Sequence, residues 1–307
     1  MLMSLSWRAE FGSIPIEPDA SLKQFRFLKC SATTRRIHDF IYCTVYTKIL
    51  IVPLLLSTMV SAEPPAGTEW VPLVSMTDEF NGDSLDVSKW FDHNPSWIGR
   101  EPVQFHPYAV AVGDGNLKIS VFDTKKSEKL RLREGYTNVS GFVKSKTLVR
   151  FGYFEMRAKL MDSSLVSCFW LSEHTKEEWS EIDCVEIAAG VEEHSRKLRP
   201  NTHYFHGPHY KGTLEKHLVQ PSHHDLGFRA ADDFHVYGLE WSATHIRWYV
   251  DGKMVRELPN TRFFQPLRMN INVEANSYFK ALPDDNRLQG AYEIDWVRSW
   301  RPKNLDS

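Results

Sequence analysis

Beyond residue 70, apolar and polar residues alternate with a period of two, the pattern of strands that bury one face. In "NLKISVF" (116–122), Leu117, Ile119 and Val121 share a side. "GYFEMRAKL" (152–160) sets Phe154, Met156, Ala158 and Leu160 on one face and Tyr153, Glu155, Arg157 and Lys159 on the other. "LRMNINVEANSY" (267–278) directs Met269, Ile271 and Val273 to a core and turns Asn270, Asn272 and Glu274 outward. "HIRWYVDGKMVREL" (245–258) reads as two strands joined by Asp251-Gly252, a pair suited to the positive φ angles of a type I′ hairpin turn. "AYEIDWVRSW" (291–300) closes the chain as a further strand. No helix of convincing length appears. Many strands at short spacing predict an all-β sandwich or jelly roll.

The first 62 residues do not follow this pattern. "KILIVPLLLSTMVSA" (48–62) joins a lysine to an apolar run and ends on Val60-Ser61-Ala62 before "EPPAG", the plan of a secretory signal peptide with its small-residue cleavage site. The run of about twelve residues is shorter than the roughly 20 that a membrane helix needs. Residues 1–47 precede it and are mixed basic and polar, so they read as a non-native extension from a misassigned start, with Val45 as the alternative start. The mature protein is expected outside the cell or in the periplasm, cleaved near Ala62 and free of the membrane. Residues 63–69 then read as a linker, 70–301 as one domain and 302–307 as a tail.

Composition adds two constraints. A net charge of −2 gives no global field for nucleic acid. Aromatic residues make up 13% of the chain, with ten tryptophans, enough to leave some for stacking on flat apolar ligands such as sugar faces after a core is filled. Of the four cysteines, Cys30 and Cys43 precede the cleavage site. Cys168 and Cys184 are expected as buried free thiols rather than a disulfide.

The candidate chemistry lies in "EEWSEIDCVE" (177–186). Alternate strand residues share a face, so Glu181 and Asp183 point the same way. Glu186 would fall on the opposite face unless a β-bulge at Cys184–Val185 brings it back. Three carboxylates crowded on one surface repel and raise at least one pKa. Retaining glycoside hydrolysis uses such a cluster, with one ionised nucleophile and one protonated acid. Spacing alone leaves a solvated acidic face or a calcium site open as well.

"EIDCVE" resembles the bulged E-x-D-x-x-E signature of glycoside hydrolase family 16. "DEFNGDSLDVSKW" (78–90), "SGFVKSKTLVRFGYFEMRAKL" (140–160), "FWLSE" (169–173), "DDFHVYGLEWSATHIRWYVDGKMV" (232–255) and "YEIDWVRSW" (292–300) resemble further family segments in the family's order. The resemblance implies a jelly roll with a sugar-binding cleft on its concave face. It also implies an endo-acting retaining mechanism, with Glu181 as nucleophile, Glu186 as acid/base and Asp183 as auxiliary. "NPSWIGREPVQF" (94–105) and "RPNTHYFHG" (199–207) are similar to the agarase and porphyranase branch. By that similarity Trp97 stacks on a sugar, Arg100 bonds a hydroxyl or sulfate, and Trp170, His203 and Glu274 line nearby subsites. His206, His209, Lys211 and His217 add candidate partners for a sulfate. The family also implies a structural calcium near Glu79 and Asp295, with no cofactor needed for catalysis. The expected substrate is a marine galactan, agarose ahead of porphyran, cut by a monomer. The alternatives are a laminarinase-like β-1,3-glucanase and a non-catalytic polysaccharide-binding module.

Overall fold

The computed structural model describes residues 63–123, 130–206, 217–279 and 290–306, all within one unit that spans Ser57–Ser307. The expected extension and leader lie outside the described residues. Apart from short 3₁₀ turns, the regular structure is β-strand.

Two sheets make the sandwich. The seven-stranded sheet carries the cleft and runs β14 (His217–Val219), β13 (Asn201–His206), β11 (Glu178–Ile187), β10 (Val166–His174), β19 (Arg268–Glu274), β8 (Phe142–Ser145) and β2 (Trp90–Phe91). The eleven-stranded back sheet is centred on β9 (Gly152–Lys159), flanked by β16 (His235–Trp241) and β20 (Ala291–Pro302). Beyond β16 lie β17 (His245–Val250) and β18 (Lys253–Pro259), and beyond β20 lies β6 (Asn116–Asp123). A short ribbon on the far side of β6 includes β3 (Gly99–Arg100), which reaches the cleft.

The apolar faces meet between the sheets. Leu117, Ile119, Phe154, Met156 and Ala158 come from the back sheet, and Ile182, Cys184, Met269, Ile271 and Val273 from the cleft sheet; none exceeds 1% exposure. Cys168 and Cys184 are both buried free thiols. The β17–β18 hairpin turns at Asp251 (φ 48°) and Gly252 (φ 74°), the left-handed pair that its Asp-Gly sequence calls for. Pro302, assigned by sequence to a tail, ends β20, and the backbone of Lys303 donates to Glu69 O at 2.8 Å.

The outer face of β9 is not solvated. Tyr153 and Glu155 are 1% and 2% exposed, and the rings of Trp70, Tyr249 and Trp300 pack on that of Tyr153. The strand Trp70–Pro72 pairs with β20 and brings this cover. The Tyr153 hydroxyl donates to Glu155, and burial raises the Glu155 carboxyl from 4.5 to about 7. A carboxyl raised in the fold contributes stability below its unfolded pKa and loses it as pH rises through the folded value. Stability is therefore expected to fall between about pH 4.5 and 7, by up to about 3 kcal/mol from this group. Chemical denaturation across that window checks it: Glu155→Gln should flatten the slope, and an unchanged slope would show that Glu155 does not carry the effect.

Candidate active site

Strand register lays out the cleft floor residue by residue. Asp183 pairs with Trp170 and Val185 with Phe169, so Cys184 is the extra residue of a bulge. Cys184 and Val185 both face the core, and the parity of Glu186 is restored. One row across the strands reads Glu181, Ser172, Arg268; the next reads Asp183, Trp170, Asn270, Lys144, Phe91; a third reads Glu186, Cys168, Asn272, Phe142. A hydrogen bond from the back sheet fixes the bulge: Trp248 on β17, 0% exposed, donates its indole N–H to Asp183 O at 2.8 Å.

The three acids and all five expected substrate residues, Trp97, Arg100, Trp170, His203 and Glu274, line one cleft of about 770 Å³. Trp97 stands edge-on to Phe105, Phe142 and Trp170, with the Arg100 guanidinium 5.5 Å from its ring centre. Arg100 donates to Glu274 at 3.1 Å. Trp170 donates its indole N–H to Asn272 Oδ1 at 2.7 Å, which fixes its ring in the cleft. Asn270, Asn272 and Glu274 leave the core as expected, yet they are at most 5% exposed because neighbouring cleft side chains cover them.

His203 sits beside the acids, with Nε2 3.8 Å from Glu181 and 3.5 Å from Asp183. The Asn201 amide oxygen accepts from Thr202 N at 2.9 Å, which turns the amide nitrogen to His203 Nε2 at 2.7 Å. By this network Nδ1 carries the proton and donates to His217 Nε2 at 2.9 Å. Burial, then His217, Arg199 and Arg100, lower the imidazole to about 3. It is neutral at working pH, so its contacts with the acids are not salt bridges.

Burial raises every acid of the cluster, and neighbouring carboxylates, Glu274 among them, add to the rise. Burial, then Glu186 and Glu274, take Glu181 to about 8 against the pull of Arg100. Glu186 reaches about 7, with Arg199 opposing the rise. Asp183 is raised by burial and then by both glutamates, against the pull of Arg199. The cluster therefore shares protons at neutral pH. One carboxyl can donate while another attacks, the division of labour that acid–base chemistry on one face requires.

Some site residues were not singled out from the sequence. Arg199 donates to Glu186 Oε2 at 3.0 Å, but it stands outside the catalytic strand, and the period-two pattern gives no sign of it. Lys144 and Ser172 also line the cleft. His217, noted only as one of several basic residues, stacks on Phe205 at 3.7 Å between ring centres. His206 is exposed at the end of β13, while His209 and Lys211 lie outside the described residues.

The calcium expectation does not fit its residues. Arg298 donates twice to Glu79, at 2.7 and 2.8 Å, and Arg157 donates to Asp295 at 2.5 Å. Guanidinium groups already neutralise both carboxylates, so Glu79 and Asp295 do not form the hard oxygen cage a calcium ion needs.

Comparison with known proteins agrees with this geometry. The family described as "Beta-porphyranase A-D, GH16 domain" matches residues 70–302. Beta-porphyranase E of Zobellia galactanivorans is 31% identical over 260 residues, which cover 77% of this chain and 89% of that protein. Beta-porphyranase B of the same organism is 28% identical over 254 residues, covering 76% and 85%. The crystal structure of that porphyranase B superposes with a TM-score of 0.67 at 26% identity, covering 78% of this chain and 96% of the other. Beta-agarase B, at 21% identity and a TM-score of 0.64, shares the fold. The chain belongs to the porphyranase-type domains of glycoside hydrolase family 16.

Proposed function

We propose that this protein is an endo-acting retaining glycoside hydrolase that cleaves β-linkages in a marine galactan. The observation that carries the reading is the bulge-restored face, on which Glu181, Asp183 and Glu186 line one cleft with two tryptophans. Glu181 attacks the anomeric carbon while Glu186 protonates the departing glycosidic oxygen, so the sugar–oxygen bond breaks as a sugar–carboxylate ester forms. Glu186, now ionised and stabilised by Arg199, takes a proton from water, which releases the sugar and restores both carboxyls. Asp183 holds Glu181 in place and exchanges a proton with its neighbours. Neutral His203 offers the nucleophile no charge to pair with.

Porphyran is the preferred polymer, because the matched family and both relatives described above are porphyranases; this reverses the sequence-based preference for agarose. Action on an extracellular polymer fits the leader pattern at 48–62, and we infer secretion on that ground. Among the described residues no helix is long and apolar enough to cross a membrane.

Reducing-end assays on porphyran, agarose, κ-carrageenan and laminarin test the reading, with oligosaccharide release from porphyran or agarose expected. Glucose oligomers from laminarin, with nothing from the galactans, would replace it with a β-1,3-glucanase. On the active polymer, kcat/KM should be bell-shaped in pH, rising through about 7 as the carboxylate cluster gives up one proton and falling through about 8 as it gives up the proton the acid must donate. A rate that stays level to pH 9 would remove Glu186 from the acid role.

A further inference from the structure

Three rings line up where β13 and β14 border the cleft. Phe205 and His217 are direct strand partners, and His217 lies flat on Phe205 with 3.7 Å between centres and 11° between planes. His203, two residues before Phe205, shares its face of β13. His203 and His217 meet edge to edge, with centres 5.1 Å apart, planes within 19° and Nδ1 of His203 2.9 Å from Nε2 of His217. Phe205 thus sets the ring plane of His217, and that plane aims its nitrogen at His203.

A neutral imidazole has one N–H and one lone pair. The Asn201 amide donates to Nε2 of His203 at 2.7 Å, so Nε2 holds the lone pair and Nδ1 the proton. His217 must then accept at Nε2 and carry its own proton on Nδ1. The choice matters because Nε2 of His203 stands beside the acids, 3.5 Å from Asp183 Oδ2 and 3.8 Å from Glu181 Oε1. Asp183 Oδ2 is buried and accepts no hydrogen bond among the described residues. With its proton on Nε2, His203 would donate to one of these oxygens. Such a bond stabilises the carboxylate charge and occupies a lone pair that the nucleophile needs for attack.

Asn201 does not secure the tautomer alone. It is 0% exposed and held through its amide oxygen by Thr202 N, so it disfavours a proton on Nε2. Without an acceptor at Nδ1, however, the proton of His203 would gain a partner by moving to the side of the acids. We propose that His217 is a positioning residue of the reaction, which accepts from Nδ1 of His203 and so keeps a histidine donor away from Glu181 and Asp183. The proposal deepens the galactan-hydrolase reading and rests on it. His217 acts only through His203.

His217→Phe keeps a flat ring on Phe205 and removes the acceptor, whereas His217→Gln keeps an acceptor. Nitrogen-15 chemical shifts of the His203 ring report its tautomer. In the native protein Nδ1 should read as protonated and Nε2 as unprotonated. In His217→Phe the shifts should move towards a protonated Nε2. Its kcat on the active galactan should fall about fivefold, the size of one neutral hydrogen bond, with KM moving less. His217→Gln should bring back both the shifts and most of the rate. A protonated Nε2 in the native protein would overturn the proposal. So would a Phe variant that keeps the native shifts, or one that changes tautomer at full kcat. If the native protein cuts no galactan, the functional reading fails, while the shifts of the native protein and the two variants still decide whether His217 holds His203.

Discussion

Glu181→Gln is expected to lower turnover by about 10⁴-fold or more while the protein still binds its polysaccharide. The amide is nearly isosteric and leaves the packing of β11 intact, but it cannot form the sugar–carboxylate ester. Burial, with Glu274 adding to it, raises the pKa of Glu186, so the substitution leaves the acid its proton and the cleft its shape. The variant should therefore bind the polymer at least as well as the native protein. The measurements are single-turnover kinetics and calorimetric binding on the same polymer. Full turnover would point to a polysaccharide-binding module or a different nucleophile. Loss of binding together with turnover would show that Glu181 supports the architecture of the cleft.

Trp248→Ala should be the most damaging change away from the acids. The indole is fully buried between the sheets, and Arg256 lies 4.8 Å from its ring centre on β18. Emptying such a site costs about 3–5 kcal/mol, a large share of a typical domain's stability. The variant also loses the N–H bond to Asp183 O that holds the bulge. Trp248→Phe separates the two effects, since it keeps most of the packing and loses only the bond. It should cost about 1 kcal/mol from the bond and lower kcat at constant stability-corrected concentration, because Glu186 is aimed by the bulge. Urea denaturation gives the first quantity and initial rates the second. A Phe variant with native kcat would show that the bulge holds without the indole.

The bulge itself was readable in the sequence because three acids at positions i, i+2 and i+5 can share a face only with one residue added. The hairpin at Asp251-Gly252 and the core faces of β6, β9 and β19 were readable for the same reason: each is a local pattern. What could not be read depends on partners distant in the chain. Tyr153 is buried because Trp70 and Trp300 lie over it, and alternation says nothing about a second layer. Glu79 and Asp295 matched a family position for calcium, but Arg298, 219 residues from Glu79, and Arg157, 138 residues from Asp295, take the carboxylates first. Lys144 enters the site through strand register across the cleft sheet, and Arg199 from the residues just before β13. Trp97, Arg100, Trp170, His203 and Glu274 came from resemblance rather than from pattern, and the fold gathers all five around the acids.

The indole bond from Trp248 to Asp183 O crosses the core and ties the back sheet to the catalytic strand. Sliding one sheet over the other would therefore move the acids as well as the core, so the spacing of the carboxylates is set by the registry of the whole sandwich. Catalytic geometry and global folding are in that sense one cooperative unit.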